Sequence, residues 1–315
     1  MKLLFCGSGW FPIIDRLEAR LPASHALARW DRRAALEELV GDVEVLLPSN
    51  AHITRQVLER APKLRLIQQP AVGTEAIDVA AARALGIPVC NMPGMNTVGV
   101  AEAALFLMLA LARRYPAAQA AFRAREIGAP LGRELAGRTL GVIGPGGSGQ
   151  ALATRARALG MDVQFLARGA SEPERDAFFS SCDVFSVHCP LTPETRGLIG
   201  ARALGLMRRG AHLVNVARGG VLDRDAVLAA LRDGVLGGLG LDVHWEEPWD
   251  PDDELYQDPR VVPLPHVAGS TEEAADRIIA IVLDNLGRLE RGEPLRNLVE
   301  PPRNLVEPPR NLVER

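Results

Sequence analysis

The sequence predicts an α/β protein with two lobes, each built on a parallel sheet. Short apolar runs bounded by turn residues alternate with helical patterns, and this alternation occurs in two series along the chain. Such alternation is typical of parallel sheets whose faces are covered by helices. The length of 315 residues also exceeds what one hydrophobic core usually supports. We therefore expect two Rossmann-like or flavodoxin-like lobes with a cleft between them.

The first series lies in residues 1–95. Its apolar runs, interpreted as strands, cover residues 2–6, 43–48, 64–68 and 88–91. The run from 98 to 112 is too short for a membrane span and contains Glu102, so it is interpreted as a buried helix. The second series contains six further runs, at 139–144, 163–167, 184–188, 211–216, 238–243 and 261–263. Six successive strands predict a doubly wound nucleotide-binding sheet.

The last part of the chain predicts how the lobes are divided. A helical pattern over 272–291 carries apolar residues on one face, and we expect it to return to the first lobe. The first lobe is therefore expected to comprise 1–95 and 280–298, and the second 96–279. From Asn297 the heptapeptide Asn-Leu-Val-Glu-Pro-Pro-Arg repeats, and its prolines exclude a helix. Residues 299–315 are therefore interpreted as a repetitive Pro-rich tail.

Composition and charge argue against several classes of function. The formal net charge is −3, and no run of Lys or Arg provides a basic surface for nucleic acid. The four cysteines form no Cys-x-x-Cys pair and lie in apolar surroundings, which favours a reduced, cytoplasmic chain. No signal peptide or membrane span is evident, and the histidines have no metal-ligand spacing. We expect no nucleic acid, membrane or metal partner.

A glycine-rich motif lies between the first strand and the first helix of the second series. It reads Gly144-Pro-Gly146-Gly147-Ser148-Gly149. In this context Gly144 permits a tight turn, Gly146 lets the backbone approach a pyrophosphate, and Gly149 lets the helix pack closely. Gly147 and Ser148 complete the loop, and the helix N-terminus offers N–H donors to phosphates. We predict a dinucleotide site here; the alternative is a structural turn.

The end of the next strand indicates which dinucleotide binds. In NAD sites an acidic residue about 20 positions further on bonds the ribose 2′-hydroxyl. Here the strand ends in Ala167-Arg168, and Arg175 follows nearby. A guanidinium with no carboxylate beside it favours the 2′-phosphate of NADP(H). We expect NAD(P) with a preference for NADP(H); alternatively, Arg168 is a solvated surface charge and NAD serves as well.

Three later strand ends carry an arginine, a carboxylate and a histidine. Arg218, Glu247 and His266 each follow a predicted strand, on the edge where ligands bind in such sheets. Reduction of a 2-oxo acid requires a guanidinium that holds the carboxylate and an acid that titrates near neutrality. Arg218 fits the first role and His266 the second. Glu247, paired with the imidazole, would favour its protonated form.

With these segments the chain resembles the D-isomer-specific 2-hydroxyacid dehydrogenases, which include phosphoglycerate, lactate and formate dehydrogenases and glyoxylate and hydroxypyruvate reductases. The resemblance extends to residues 73–78, 86–91, 96–102 and 183–199. It implies a smaller substrate lobe formed from both ends of the chain, a cofactor lobe in the middle, and a homodimer joined largely through the cofactor lobes. The pairing of His266 with Glu247 differs from formate dehydrogenases, which use Gln.

The resemblance also implies roles for individual residues. The substrate carboxylate would be held by Arg218 and by the backbone at Val72 and Gly73, and Asn96 would line the substrate pocket with His266. Asp242 would bind the nicotinamide carboxamide, or alternatively cap the end of its strand. Further cofactor contacts are implied at His188, Pro190, Thr195, Ala217, Gly269 and Ser270.

The residues expected near the substrate favour a non-phosphorylated acid. Gln68-Gln69-Pro70 supplies no cation for a substrate phosphate. We therefore expect a substrate of the glyoxylate or hydroxypyruvate type. Two alternatives stay open. One is an enzyme similar to D-3-phosphoglycerate dehydrogenase. The other is a dinucleotide-sensing scaffold similar to the C-terminal binding protein corepressors, which have the same fold, because a fold does not determine the function.

Overall fold

The computed structural model describes residues 1–299, which divide into two compact units. In this part of the chain the first unit comprises residues 1–95 and 272–299, and the second comprises 96–271. Each unit contains one parallel sheet with hydrophobic core on both of its faces. The predicted α/β class, with two Rossmann-like or flavodoxin-like units, is confirmed.

Strands and helices alternate through both units. The strands are, in chain order, β1 (Lys2–Phe5), β2 (Ala26–Arg29), β3 (Val45–Leu47), β4 (Leu66–Gln68), β5 (Val89–Cys90), β6 (Thr139–Ile143), β7 (Asp162–Leu166), β8 (Val184–Val187), β9 (Ala211–Asn215), β10 (Leu236–Leu241) and β11 (Val261–Pro263). The helices are α1 (Phe11–Glu18), α2 (Leu36–Leu39), α3 (Arg55–Glu59), α4 (Val79–Ala84), α5 (Thr97–Ala112), α6 (Tyr115–Ala124), α7 (Gly147–Ala158), α8 (Glu172–Ser181), α9 (Ala201–Leu206), α10 (Arg224–Arg232), α11 (Glu254–Gln257) and α12 (Glu272–Arg291).

The sheet of the first unit has the strand order β2-β1-β3-β4-β5, and every neighbouring pair is parallel. This is the order of flavodoxin-like sheets. Four of the strands lie in the apolar runs identified in the sequence. The sequence pattern does not predict the edge strand β2, because its side chains are mostly exposed and form no apolar run.

Helix α12 packs onto the sheet of the first unit. Ile278, Ile279, Val282 and Leu286 share a core cluster with residues of β1, β3 and β4. The predicted boundary between 279 and 280 falls inside this helix, whereas the units divide between 271 and 272. Ile278 and Ile279 already pack on the first unit, so the helix belongs to it as a whole.

The first repeat of the C-terminal heptapeptide begins as part of the first unit. Leu298 forms an antiparallel bridge with Cys90, and the N–H of Val299 donates to the Val89 carbonyl at 2.8 Å. Val299 also packs against the core of this unit. The predicted tail therefore starts one residue too early, because Val299 continues the pairing with β5. The rest of that tail lies outside the described residues.

The sheet of the second unit has the order β11-β10-β9-β8-β6-β7, again with parallel neighbours throughout. Its six strands fall where the sequence predicts them. The chain passes from β7 to β8 across β6, so the strand order reverses between β6 and β8. At such a switch point a crevice for a ligand forms at the carboxyl ends of the strands.

Helices α5 and α7 contribute to the core on one face of this sheet, and α8, α9 and α10 to the core on the other. The sequence pattern does not predict α6, because that segment has few buried positions. Among residues 1–299, no helix combines the length and the apolar character that crossing a membrane requires.

Candidate active site

The glycine-rich loop joins β6 to α7 and is shaped by close backbone contacts. Gly144 has φ +99°, and a Cβ built on it would lie 2.7 Å from the Cys189 nitrogen. A Cβ on Gly149 would lie 2.4 Å from the Gly144 oxygen, so only glycine lets α7 approach the loop this closely. At Gly146 no atom lies within 4 Å of the Cβ position. The loop therefore has a packed side and an open side at a helix N-terminus, an arrangement that fits a dinucleotide pyrophosphate.

His188 is held between two serines beside this loop. Its Nδ1 lies 3.1 Å from Ser148 Oγ, and its Nε2 lies 2.9 Å from Ser186 Oγ. Burial lowers the pKa of His188 to about 4, so the ring is neutral at physiological pH. His188 is therefore suited to orienting Ser148 rather than to carrying a proton.

The loop after β8 is organised by Thr195. Its Oγ1 donates to the Pro190 carbonyl at 2.7 Å and accepts the Thr192 N–H at 2.8 Å. Arg168 follows β7 and is exposed. A hydrogen bond from Thr192 lowers the pKa of Glu194, and the charge of Arg168 adds to this effect. The Arg168 guanidinium therefore lies close enough to this loop for its charge to lower the pKa of Glu194.

His266 and Glu247 lie on the loops that follow β11 and β10, which are neighbours in the sheet. His266 Nδ1 is 2.7 Å from Glu247 Oε2, and the two side chains are 28% and 26% exposed. Glu247 Oε1 accepts the His244 N–H at 3.1 Å. Burial alone would raise the pKa of Glu247, but the hydrogen bond and charge of His266, with the His244 N–H, hold it below its ordinary value. The carboxylate is therefore ionised at neutral pH.

Asp242 fixes the backbone that carries His266. Its carboxylate oxygens accept the N–H groups of Val267 and Ala268 at 2.8 and 3.0 Å. The side chain is buried, and burial raises the pKa of Asp242 despite these hydrogen bonds. His266 has φ +53°, a left-handed conformation that costs a residue with a side chain about 1–3 kcal/mol. The two hydrogen bonds to Asp242 help to hold this strained turn in place.

Arg218 follows β9 on a loop that is braced from two sides. Asn215 Nδ2 donates to the Arg218 carbonyl at 2.9 Å, and Asn215 Oδ1 accepts the Ala217 N–H at 3.0 Å. On the other side, a Cβ on Gly219 would lie 2.1 Å from the His244 oxygen. The loop therefore packs directly against the segment that follows β10.

The structure thus places the three residues predicted from strand ends on adjacent loops of one sheet edge. Strands β9, β10 and β11 are neighbours, and their ends are joined by backbone hydrogen bonds. The Asp242 N–H donates to Asn215 O at 2.9 Å, and the Leu264 N–H donates to Leu241 O at 2.6 Å. These bonds fix the separation of the loops.

His244 belongs to this site, although the sequence does not predict it. Its ring is buried, with Nδ1 2.8 Å from the Tyr256 hydroxyl and Nε2 2.9 Å from the Leu264 carbonyl. Together with its N–H on Glu247, these contacts tie the loop after β10 to the loop after β11. In the sequence the only signal is a histidine two residues after Asp242, which gives no indication of this role.

The start of α5 contacts both the glycine-rich loop and the loop of His266. A Cβ on Gly269 would lie 2.5 Å from Asn96 Nδ2, and a Cβ on Gly147 would lie 3.2 Å from Thr97 Oγ1. The neighbouring Ser270 closes a turn, because its N–H donates to Val267 O at 2.8 Å. Asn96 therefore lies against the loop that carries His266.

In the first unit, side-chain amides hold two carbonyl groups of the loop after β4. Asn91 Nδ2 donates to Val72 O at 2.8 Å, and Gln69 Nε2 donates to Gly73 O at 2.7 Å. A trans peptide places its N–H opposite its C=O. The N–H groups of Gly73 and Thr74 therefore point away from these amides, and two such donors suit a carboxylate.

The thiols and acids of the described chain show no metal centre. Among residues 1–299, no group of three His, Cys, Asp or Glu side chains is placed to hold a metal ion. The four cysteines are free and buried. Burial raises the pKa of Cys189, beside the glycine-rich loop, to about 11, so its thiol is protonated and unreactive at neutral pH.

The segment that carries most of these loops also matches a known family of proteins. Residues 105–268 match the family model for the D-isomer specific 2-hydroxyacid dehydrogenase, NAD binding domain. A glyoxylate reductase from Thermococcus litoralis is 38% identical over 287 residues, which cover 85% of this chain and 86% of that protein. The chain belongs to the D-isomer-specific 2-hydroxyacid dehydrogenase family. It is an NAD(P)-dependent oxidoreductase that acts on the CH–OH group of 2-hydroxy acids.

Other members of the family differ in the acid that their names specify. A D-3-phosphoglycerate dehydrogenase from Archaeoglobus fulgidus is 37% identical over 279 residues, which cover 84% of this chain but only 53% of that protein. The crystal structure of a D-lactate dehydrogenase from Aquifex aeolicus with NAD and lactic acid has a TM-score of 0.81 at 26% identity, covering 95% of this chain and 99% of that one. The family therefore establishes the reaction class, and the site itself must indicate the substrate.

Proposed function

We propose that this 2-hydroxyacid dehydrogenase reduces a small, non-phosphorylated 2-oxo acid of the glyoxylate or hydroxypyruvate type to the D-2-hydroxy acid. The main support is the 2.7 Å pair of His266 and Glu247 on loops adjacent to that of Arg218. A proton donor, its carboxylate partner and a guanidinium thus share one sheet edge with the glycine-rich loop. These are the groups that reduction of a 2-oxo acid requires.

Each member of this group has one proposed task. Arg218 holds the substrate carboxylate through two parallel hydrogen bonds. In the first unit, the backbone at Val72 and Gly73 is assigned to substrate binding, as the family resemblance implies. His266 donates a proton from Nε2 to the carbonyl oxygen at C2, because its Nδ1 is occupied by Glu247. When bound, the nicotinamide supplies the hydride to C2.

The second unit is the proposed cofactor unit, and the first is the proposed substrate unit. The open side of Gly146 and the N-terminus of α7 suit the pyrophosphate. Asp242 is assigned to the nicotinamide carboxamide, since each of its oxygens accepts one protein N–H and keeps a lone pair. The remaining proposed cofactor contacts are Gly144, Gly147, Ser148, Gly149, His188, Pro190, Thr195, Ala217, Gly269 and Ser270.

We propose a preference for NADP(H) over NAD(H). Arg168 is exposed at the end of β7, where NAD sites of this fold carry an acid for the ribose 2′-hydroxyl. A guanidinium there attracts a 2′-phosphate. Glu194 lies near enough to Arg168 for their charges to interact, and it moderates this preference.

Gln69 supports a substrate without phosphate. Its amide nitrogen donates to Gly73 O and to Ser49 O, at 2.7 and 2.9 Å. Its Oε1 is buried and has no hydrogen-bond partner among the described residues. The side chain therefore has its donors engaged within the protein and only an acceptor left, and an acceptor does not attract a phosphate dianion.

We also propose that the enzyme is a homodimer joined through the second unit. Large apolar side chains are exposed on and after α5 and α6, namely Phe106, Leu109, Phe122, Ile127 and Leu131. Several large exposed apolar side chains in one stretch of the chain favour a protein interaction surface there. Light scattering of the purified chain measures its mass, and the double substitution Phe122→Glu with Ile127→Glu is expected to yield monomers. A monomeric wild type would contradict the proposal.

The reaction is tested by following the oxidation of NADPH and NADH with a panel of 2-oxo acids. The panel contains glyoxylate, hydroxypyruvate, pyruvate and the phosphorylated analogue of hydroxypyruvate. We expect turnover with a non-phosphorylated acid, and its loss in His266→Ala with cofactor binding retained. A preference for the phosphorylated acid, or full activity of His266→Ala, would contradict the proposed function.

A further inference from the structure

A pocket of about 160 Å³ lies at the opposite edge of the sheet in the second unit. It forms where β6, β8 and β9 begin, and Val184 and Ala211 are among its lining residues. The loops of the candidate active site follow the other, carboxyl ends of the same sheet. The pocket is therefore separate from the site described above.

Arginines dominate the charged part of its lining, and we refer to it as the arginine pocket. Its charged residues are Arg133, Arg138, Arg208, Arg209, Glu134 and Asp183. Guanidinium groups therefore outnumber carboxylates by two. A pocket with this imbalance attracts anions.

Asp183 neutralises part of the positive charge. It pairs with Arg208 at 3.1 Å and more loosely with Arg138 at 4.0 Å, and it accepts the Thr139 N–H at 2.9 Å. Burial alone would raise the pKa of Asp183, but these partners hold it below its ordinary value, so the carboxylate is ionised. One carboxylate is thus shared between two arginines.

Arg133 and Arg209 contact neutral backbone groups instead. Arg133 Nη1 donates to Gly210 O at 3.3 Å, and Arg209 Nη2 donates to Asp233 O at 2.6 Å. Gly210 has φ +80°, and a Cβ on it would lie 3.3 Å from Arg133 Nη1, so a side chain there would displace the guanidinium. Within residues 1–299 neither arginine forms an ion pair with a carboxylate, and each keeps N–H donors for a ligand.

A buried histidine, His212, also lines the pocket, and its pKa responds to the charges of the arginines. His212 lies on β9, where burial lowers its pKa to about 4, and the charges of Arg133 and Arg138 add to the effect. The ring is therefore neutral, and it adds no charge to the arginines at physiological pH. An anion in the pocket would oppose the field of the arginines and make protonation of His212 easier.

We propose that the arginine pocket binds a small, multiply charged anion, specifically a diphosphate group. Guanidinium groups match phosphate oxygens with paired, charge-assisted hydrogen bonds, and clusters of them are a recurring means of phosphate recognition. A single carboxylate ligand would balance only one of the two excess charges, whereas a diphosphate carries enough negative charge to balance both and has two phosphoryl groups to divide among four guanidinium groups. The group belongs either to free inorganic pyrophosphate or to a nucleoside diphosphate.

Calorimetric titration with inorganic pyrophosphate tests the proposal, using the full chain saturated with its nicotinamide cofactor. Saturation fills the glycine-rich loop, so the heat reports a second site. We expect one binding event, weakened at least tenfold in the double variant Arg133→Gln with Arg209→Gln. The matched control, Arg202→Gln with Arg232→Gln, removes two exposed arginines elsewhere in the unit and should bind as the wild type does.

The location of binding is read from the nuclear magnetic resonance signals of His212. Pyrophosphate is expected to move these signals in the wild type and in the control variant, and to raise the pH at which His212 titrates. Absence of a second binding event, equal affinity in the Arg133 and Arg209 variant, or unmoved His212 signals would overturn the proposal. ADP distinguishes the two sources: stronger binding than pyrophosphate indicates a nucleotide, and weaker binding indicates the free anion.

Discussion

Replacing Glu247 by glutamine removes a charge from the proposed proton-transfer pair and keeps its shape. The variant can still accept the hydrogen bond from His266 Nδ1, which measures 2.7 Å here. A hydrogen bond to a charged group contributes about 1.5–3 kcal/mol, and one between neutral groups about 0.5–1.5 kcal/mol. The difference of roughly 1.5 kcal/mol corresponds to about a tenfold change in rate. Because the two side chains are only 28% and 26% exposed, solvent screens this difference incompletely.

The rate of the reduction at fixed pH shows the effect and its sign. Proton donation starts from the charged imidazole, which the Glu247 carboxylate stabilises. Without that charge, kcat/KM of Glu247→Gln at pH 7 is expected to be about tenfold lower than in the wild type. As the pH falls through the lowered pKa of Glu247, the wild-type carboxylate is neutralised as well, so the difference between the two proteins should shrink.

The neighbouring acid Glu246 provides a matched control, because it is exposed and forms no hydrogen bond with His266. Glu246→Gln should leave kcat/KM unchanged at every pH. Equal kcat/KM of Glu247→Gln and the wild type at pH 7 would refute the role of the charge. A loss of kcat/KM by the same factor at every pH, including below the pKa of Glu247, would show that Glu247 acts only on the structure of the loop.

Three further perturbations follow from the geometry. Gly149→Ala should weaken cofactor binding at least tenfold in a fluorescence titration, because its Cβ would lie 2.4 Å from Gly144 O. The control Gly205→Ala, whose Cβ meets no atom within 4 Å, should bind the cofactor as the wild type does. Equal affinities of the two variants would contradict the packing argument. The ring of His212 takes up a proton near pH 6.5 in the unfolded chain but only near pH 4 in the folded protein. This difference should lower the unfolding free energy of the wild type by up to about 3 kcal/mol between about pH 7 and pH 4. Urea unfolding at both pH values measures this loss, which should be smaller in His212→Asn; an equal loss would exclude His212 as its source. Arg168→Ala should raise the KM for NADPH about tenfold and leave that for NADH nearly unchanged, and a parallel change in both would show that Arg168 does not contact the 2′-phosphate.

The sequence predicts the second unit best, because burial on both faces leaves clear apolar runs. Strands β8 and β9 are buried along their whole length, and both lie where the sequence places them. Strand β2 and residue Val299 were missed for the opposite reason. Both pair at an edge through backbone hydrogen bonds, and such pairing requires no particular side chain.

The candidate site also contains residues that the sequence predicts and residues that it does not. The glycine-rich loop and the residues Arg218, Glu247 and His266 could be predicted, because their chemistry restricts the residue type and strand ends restrict their position. Asn215 and His244 could not be assigned roles, because their contacts are with backbone groups and neighbouring loops. Such contacts depend on which strands become neighbours, and no local pattern records that.

During synthesis, the sheet of the first unit is made long before helix α12, which packs on one of its faces. Its strands are made first, whereas Ile278, Ile279 and Val282, which pack on one face, are made only after residues 96–271. At translation rates of about 5–20 residues per second, that apolar face stays incomplete for roughly 9–35 s. The second unit is continuous in sequence and can close its core within this interval. A nascent chain should therefore have a folded second unit while the first unit is still incomplete and accessible to chaperones. A stall before residue 272 would leave the apolar face of β1 and β3 only partly covered.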